Sequence, residues 1–378
     1  MSSESNAAKA GLEGIVAARS RISDVNGNEG WLVYNGYDIH DLADHATFEE
    51  VIFLLWNGSL PTRSQLDQLK QQLGQETSLP GGIQQLIAST PKDANPMDML
   101  RTVVSALSLY DSEAGDMSTE ANKRKAIRLT AKFPTIVTTF QRVRNGLDPI
   151  EPRNDLSVAA NFLYTLRGEE PDDVAARTMD VALVLHADHE LNASTFAARV
   201  TAATLSDMYS AVVSAIGTLK GPLHGGANEG VIKNLVEIGS VEGVEDWIRR
   251  ALAQKQKIMG FGHRVYRTED PRATHLREMS RQLGERTGEK KWYEMSRKME
   301  EVMMKEKALN PNVDFYSAST YYALGIPPDL YTPIFACSRV SGWTAHVLEQ
   351  YENNRLIRPR AEYIGPRDLK YVPIDERS

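Results

Sequence analysis

A few short segments of the sequence set titratable side chains where packing gives them little reason to be. GPLHGGAN holds His224 between a proline turn and glycines, and GFGHRVY holds His263 directly after Gly260-Phe261-Gly262. Glycine removes side-chain bulk and exposes backbone N–H groups, so a ring set among glycines can be brought against a ligand without steric competition. An imidazole there can polarise or protonate a substrate oxygen. NPNVDFYSAS puts Asp314 just before an aromatic helix start, and LHADHELNAST carries His186 and His189. SRVSGWTAH carries Arg339 and, seven residues and about two helical turns later on the same face, His346.

Other chemistry-bearing residues have plainer readings. His186 reads as a satisfied core or capping group, and His346 packs beside Trp343 on an amphipathic helix. His40, His45 and His275 read as surface or capping residues. Met295, Met299 and Met303 recur every four residues and read as core filler, and Cys337 beside Phe335 reads as a small buried hydrophobe. GFGH lacks the third glycine and the preceding strand of a dinucleotide loop, and no GxSxG elbow is present. His186, Asp188, His189 and Glu190 leave one alternative, a metal-dependent lyase, although their spacing is not that of HExxH.

These residues must be positioned by a mostly α-helical chain. Residues 11–38 carry Asn-Gly and Gly-Asn among β-branched and aromatic residues, which reads as one small hairpin or ribbon. Thr47 with Glu50 and Thr62 with Gln65 are capping boxes ahead of two helices, the second closing at Gly74. Further helical windows fall near 97–110, 120–145, 154–167, 172–187, 194–217, 228–238, 243–257, 271–285, 290–308 and 333–352. No βαβ alternation appears, which argues against an open parallel sheet. The Ala/Ser/Thr-rich stretch 195–219 suits a buried helix, while 243–308 is charge-rich and suits an exposed subdomain. Two lobes follow, with a boundary near 220 and a return near 325 at GIPPDLYTP. The proline-rich tail from 355 reads as an extended docking arm.

With 43 basic and 50 acidic residues the net charge is −7, and no basic excess points to nucleic acid or an anionic membrane. The N-terminal MSSESNAAKAGLEG lacks the basic and apolar regions of a signal peptide, and no apolar run is long enough to span a bilayer. A single cysteine among 378 residues permits no intrachain disulfide and suits a reducing, cytoplasmic compartment.

Taken in order, GYDIHDLA, ADHELNAST, GPLHGGAN, GFGHRVY with DPRA, VDFYSA, and SRVSGWTAH with RPRAEYIG resemble the citrate synthase family. The resemblance runs from about residue 11 to 370 and points to the short bacterial branch that includes 2-methylcitrate synthases. It implies an all-α homodimer with an active-site cleft between a large and a small domain. The large domain would take 1–220 and 326–378, and the small domain 221–325. The implied reaction condenses acetyl-CoA or propionyl-CoA with oxaloacetate and then hydrolyses the thioester, with no cofactor and no metal. His224, His263 and Asp314 would be catalytic. His189, Arg272 and Arg339 would bind oxaloacetate, joined by Arg358 from the partner subunit. Lys257, Ile258, Met259, Gly260, Phe261, Gly262 and Arg267 would receive coenzyme A.

Overall fold

The computed structural model describes residues 10–12 and 14–377. Most of the N-terminal segment examined for a signal peptide lies outside them. Among the described residues there are sixteen α-helices and one three-stranded sheet, so the chain is all-α with a small β element. The ribbon gains a strand over the expected hairpin: Ser23–Asn26, Trp31–Tyr34 and Tyr37–Asp38 form an antiparallel meander in sequence order. Asn35 and Gly36 both take positive φ, 48° and 88°, the geometry a tight turn between twisted strands requires.

Both capping boxes form, at the starts of Phe48–Asn57 and Arg63–Gln75. The second helix runs one residue past Gly74. The window 194–217 is two helices, Ala193–Ala202 and Met208–Leu219. Leu205 adopts a left-handed φ of 62°, and Asp207 caps the second helix by accepting from Ser210 N at 3.0 Å. Period alone misses such a break, because Ala, Ser and Thr continue on both sides. Lys255, at φ 55°, ends the helix Gly243–Ala253 four residues before the expected limit. Ser157 caps Val158–Arg167 four residues later than expected. Ile39–His45 and Gly81–Ser89 were not anticipated: the first is seven residues long, and the second hides behind Pro80-Gly81-Gly82.

The helix Tyr331–Glu352 is the axis of the fold. It packs on Phe48–Asn57, Thr119–Arg144, Asp173–His186, Ala193–Ala202 and Met208–Leu219, and is buried along nearly all of its first four turns. Its Ser, Thr, Gly and Ala residues permit that crowding. A Cβ on Gly342 would collide with Ala187 O and Asp188, so glycine is what lets the helix approach the 186–190 segment.

A second set of helices packs mainly on itself: Ala227–Ile238, Gly243–Ala253, Pro271–Thr287, Lys290–Lys307 and Val313–Ala323. Met295, Met299 and Met303 are buried among them. The two sets meet where Pro271–Thr287 packs on Ile39–His45 and Asp173–His186, and where Ala227–Ile238 touches Tyr331–Glu352. No helix among the described residues is long and apolar enough to cross a membrane. Beyond Glu352 the chain is irregular and mostly exposed, apart from a short turn at Ile374–Glu376.

Candidate active site

Arg272 and Arg339 are the charges around which the site is organised. Both are almost completely buried. Arg272 lies in the first turn of Pro271–Thr287, where Asp270 is the N-cap. Asp270 accepts from Arg272 Nε at 2.9 Å and from its terminal nitrogen at 2.8 Å. Burial works against the Arg272 charge, but Asp270 outweighs it and holds the guanidinium above its ordinary pKa. Arg339 donates from Nε to His186 O at 2.7 Å and lies 4.7 Å from the Phe335 ring centre. Burial brings it down to about 10, against the pull of Asp188.

His224 sits in the tight turn that ends Met208–Leu219, closed by His224 N to Gly221 O at 2.9 Å and Gly225 N to Leu219 O at 3.0 Å. Its Nε2 faces Ser194, whose backbone N–H donates to it at 3.3 Å and whose hydroxyl lies at 2.8 Å. A backbone N–H can only donate, so the neutral ring carries its hydrogen on Nδ1. Burial, helped by Arg339, lowers His224 to about 4. The ring is therefore neutral at pH 7, with Nδ1–H free to donate.

His263 is fixed the opposite way. Its Nδ1 accepts from Val265 N at 3.0 Å and Tyr266 N at 3.2 Å, which leaves Nε2–H as the donor. Burial and then Arg272 lower it to about 4. Its ring lies 5.3 Å from that of His189, whose Nε2 is 3.2 Å from the Tyr266 hydroxyl. Burial, Arg272 and His263 all hold His189 neutral.

Asp314 is the second residue of the helix Val313–Ala323 and not, as expected, just before its start; Asn312 is the cap. Asp314 Oδ1 is buried with no hydrogen-bond partner. Burial pushes the carboxyl up to about 7, with Asp270 adding to the rise and Arg272 and Arg339 opposing it. A carboxylate left without donors and raised in this way is a far stronger base than an ordinary one.

The expected coenzyme A segment is braced against the approach to Asp314. Gly262 N donates to Asn310 O, and Asn312 N to Gly260 O, both at 2.9 Å. Gly260 and Gly262 have φ of 86° and 74°, and Phe261 packs on Phe315 with ring centres 4.5 Å apart and planes tilted by 52°. Ile258 is buried, Met259 half-buried and Lys257 exposed. Gly262, His263 and Arg267 line a cleft of about 500 Å³, counting its open mouth, together with Ala308–Pro311. Arg358 is exposed on the irregular tail.

Sequence reasoning missed Ser194 and Tyr266 as contributors, and gave Asp188 and His346 other roles. Ser194 orients His224 and also accepts from Trp343 Nε1 at 3.1 Å. Tyr266 contacts His189. Asp188 is buried between Ser23 Oγ and His346 Nε2, the latter at 3.3 Å, and His346 Nδ1 accepts from Arg199 at 3.0 Å. Only Asp270 carried a usable local signal, as an Asp-Pro pair at a helix start.

The metal-lyase alternative fails on the same geometry. His186 directs Nδ1 to Ala182 O at 2.7 Å, Asp188 is committed to Ser23 and His346, and His189 turns to Tyr266. Among the described residues no group of three or more His, Cys, Asp or Glu side chains is arranged to hold an ion.

Residues 11–360 match the family model described as "Citrate synthase, C-terminal domain". The chain is 59% identical to "Citrate synthase 2" of Bacillus subtilis, covering 97% of this chain and 99% of that one. It is 44% identical to the "2-methylcitrate synthase" of Shewanella oneidensis, covering 97% and 98%. The citrate synthase of Thermoplasma acidophilum, solved with carboxymethyl coenzyme A and oxaloacetate, is 35% identical and superposes with a TM-score of 0.91 over 97% of this chain and 98% of that one. With the geometry around Arg272 and Arg339 and these full-length likenesses together, the chain belongs to the citrate synthase family.

Proposed function

We infer that the protein condenses an acyl-CoA with oxaloacetate and hydrolyses the resulting thioester, as citrate synthase, 2-methylcitrate synthase or both. The observation that carries the mechanism is Asp314 Oδ1, buried without a donor on a carboxyl raised to about 7. It takes a proton from the α-carbon of the thioester. His224 Nδ1–H donates to the thioester oxygen and stabilises the enolate as charge develops there. The enolate carbon then bonds to the keto carbon of oxaloacetate, while His263 Nε2–H donates to the keto oxygen.

Arg272 and Arg339 pair with the oxaloacetate carboxylates, because a guanidinium fork matches a carboxylate bidentately. His189 bonds near the keto group. Arg358 completes the set from a second copy of the chain, which makes the working unit a homodimer; its exposure on an irregular tail supports that role. Lys257 through Gly262 receive the adenine part of coenzyme A, and Arg267, on the cleft beside His263, pairs with a phosphate. Residues 221–325 act as a small domain closing on 1–220 and 326–378, a reading supported by their preference for packing on one another. No cofactor or metal is needed for this chemistry, and the place of work is the cytoplasm.

The test is release of free thiol from acetyl-CoA and from propionyl-CoA, each with oxaloacetate, with and without a chelator. Oxaloacetate-dependent, chelator-resistant release is expected. The ratio of the two rates assigns the acyl group, a choice of one methylene that a pocket discriminates by about 1–3 kcal/mol. No release from either thioester overturns the reading.

A further inference from the structure

We propose that His40 and His275 form a binding site for a late first-row divalent cation of the Zn²⁺ or Ni²⁺ kind, linking the helix Ile39–His45 to the helix that carries Arg272. His40 Nδ1 and His275 Nε2 lie 2.8 Å apart, with ring centres 5.0 Å apart and planes tilted by 41°. His275 Nδ1 is 3.5 Å from Asp44 Oδ1. An ionised carboxylate only accepts, so Asp44 keeps the His275 hydrogen on Nδ1 and leaves the Nε2 lone pair directed at His40. The two rings share one hydrogen, donated by His40 Nδ1. The two nitrogens thus face each other, and an ion entering between them takes the place of the shared hydrogen, which the neutral His40 ring then carries on Nε2.

The geometry needs little change to accept one. Zn–N bonds of about 2.0–2.1 Å at a tetrahedral angle set two nitrogens about 3.3 Å apart, so the nitrogens must separate by about 0.5 Å and the rings turn until both lone pairs meet at the ion. His40 is exposed and free to make that move. A carboxylate on the far nitrogen of a ligating histidine fixes the ring and raises its basicity, and Asp44 already stands there. Asp38 also faces His275. The nearby cation, Arg177, is occupied by Asp180 and by the carbonyls of Ala43 and Ala46. Imidazole nitrogen selects Zn²⁺, Ni²⁺ or Cu²⁺ over Mg²⁺ and Ca²⁺. Two protein ligands leave the remaining positions to water, which makes this an open site and not a closed structural one.

Neither ring shares a hydrogen bond with His189, His224, His263 or Asp314 among the described residues. Yet His275 lies one helical turn beyond Arg272, so an ion there ties the helix of that arginine to Ile39–His45. A cation bound only by the folded state also raises the thermal midpoint.

The experiment is calorimetric titration of metal-free, full-length enzyme with Zn²⁺, for wild type, His40→Ala, His275→Ala and Asp44→Asn. Each histidine variant should bind one Zn²⁺ fewer per chain, and Asp44→Asn should bind about tenfold more weakly or worse. Turnover of metal-free His40→Ala should equal that of wild type. His40→Ala changes an exposed side chain, so an unaltered Zn²⁺ stoichiometry in that variant overturns the proposal even if His275→Ala fails to fold. Equal competition by Mg²⁺ overturns the assigned class of ion.

Discussion

Asp270 grips Arg272 with both carboxylate oxygens, at 2.9 and 2.8 Å, and the same Oδ2 accepts from Val313 N at 3.1 Å. One buried carboxylate therefore fixes an arginine of the site and the helix start that presents Asp314. Pair and base are built as a unit, although 43 residues separate Asp270 from Val313.

Breaking that unit is costly. Asp270→Asn leaves the Arg272 charge buried without a counter-charge, which costs about 3–5 kcal/mol. Denaturant unfolding should show a fall of that size, and an unchanged midpoint would remove Asp270 from its structural role.

Asp314→Asn keeps shape and hydrogen-bonding capacity but removes the base. Turnover should fall by about 10²–10⁴-fold or more while oxaloacetate binding, measured by calorimetry, is retained. Near-wild-type turnover would refute the mechanism.

The acid limb of the pH–rate profile should follow the same group. Asp314 must be ionised to act, so kcat/KM should rise with pH through about 7, while His224 and His263, lowered to about 4, stay neutral throughout that range. Stability runs the other way. The folded pKa lies above the unfolded one, so the favourable contribution is full below about pH 4 and is lost as pH rises through about 7. Asp314→Asn should therefore be more stable than wild type at pH 8, by about 2–4 kcal/mol, with the gap closing by pH 4. A gap that does not change with pH would contradict the burial of this carboxyl.

Ser194→Ala deletes the hydroxyl on His224 Nε2 but keeps the backbone N–H that sets the tautomer. A hydrogen bond worth about 0.5–1.5 kcal/mol predicts a fall in kcat of about 2- to 12-fold with KM for oxaloacetate little changed. A rise in KM alone would mean that Ser194 serves binding and not the ring.

Arg358→Ala should raise KM for oxaloacetate and leave thermal unfolding of the chain nearly unchanged. Mixing it with inactive Asp314→Asn tests the crossing of the arm. Random hybrids restore one intact site in half of the dimers, so about a quarter of wild-type turnover should return. No recovery would confine Arg358 to its own chain.

Local signals were legible because their hydrogen bonds close within a few residues. The boxes Thr47–Glu50 and Thr62–Gln65 announced two helices that form where expected. The glycines around His224 and His263 announced tight turns that hold each ring against its surroundings. The break at Leu205 was hidden, because nothing in a run of Ala, Ser and Thr distinguishes one long helix from two.

The residues that could do chemistry were written in the sequence, and so was the family. Their protonation and direction were decided only by folding. Ser194 comes to His224 across 30 residues, and His346 comes to Asp188 across 158. Asp314 rises to about 7 because helices from distant parts of the chain exclude water from it. A side chain's identity is local, but its pKa, tautomer and free hydrogen-bonding edge depend on what tertiary packing places against it.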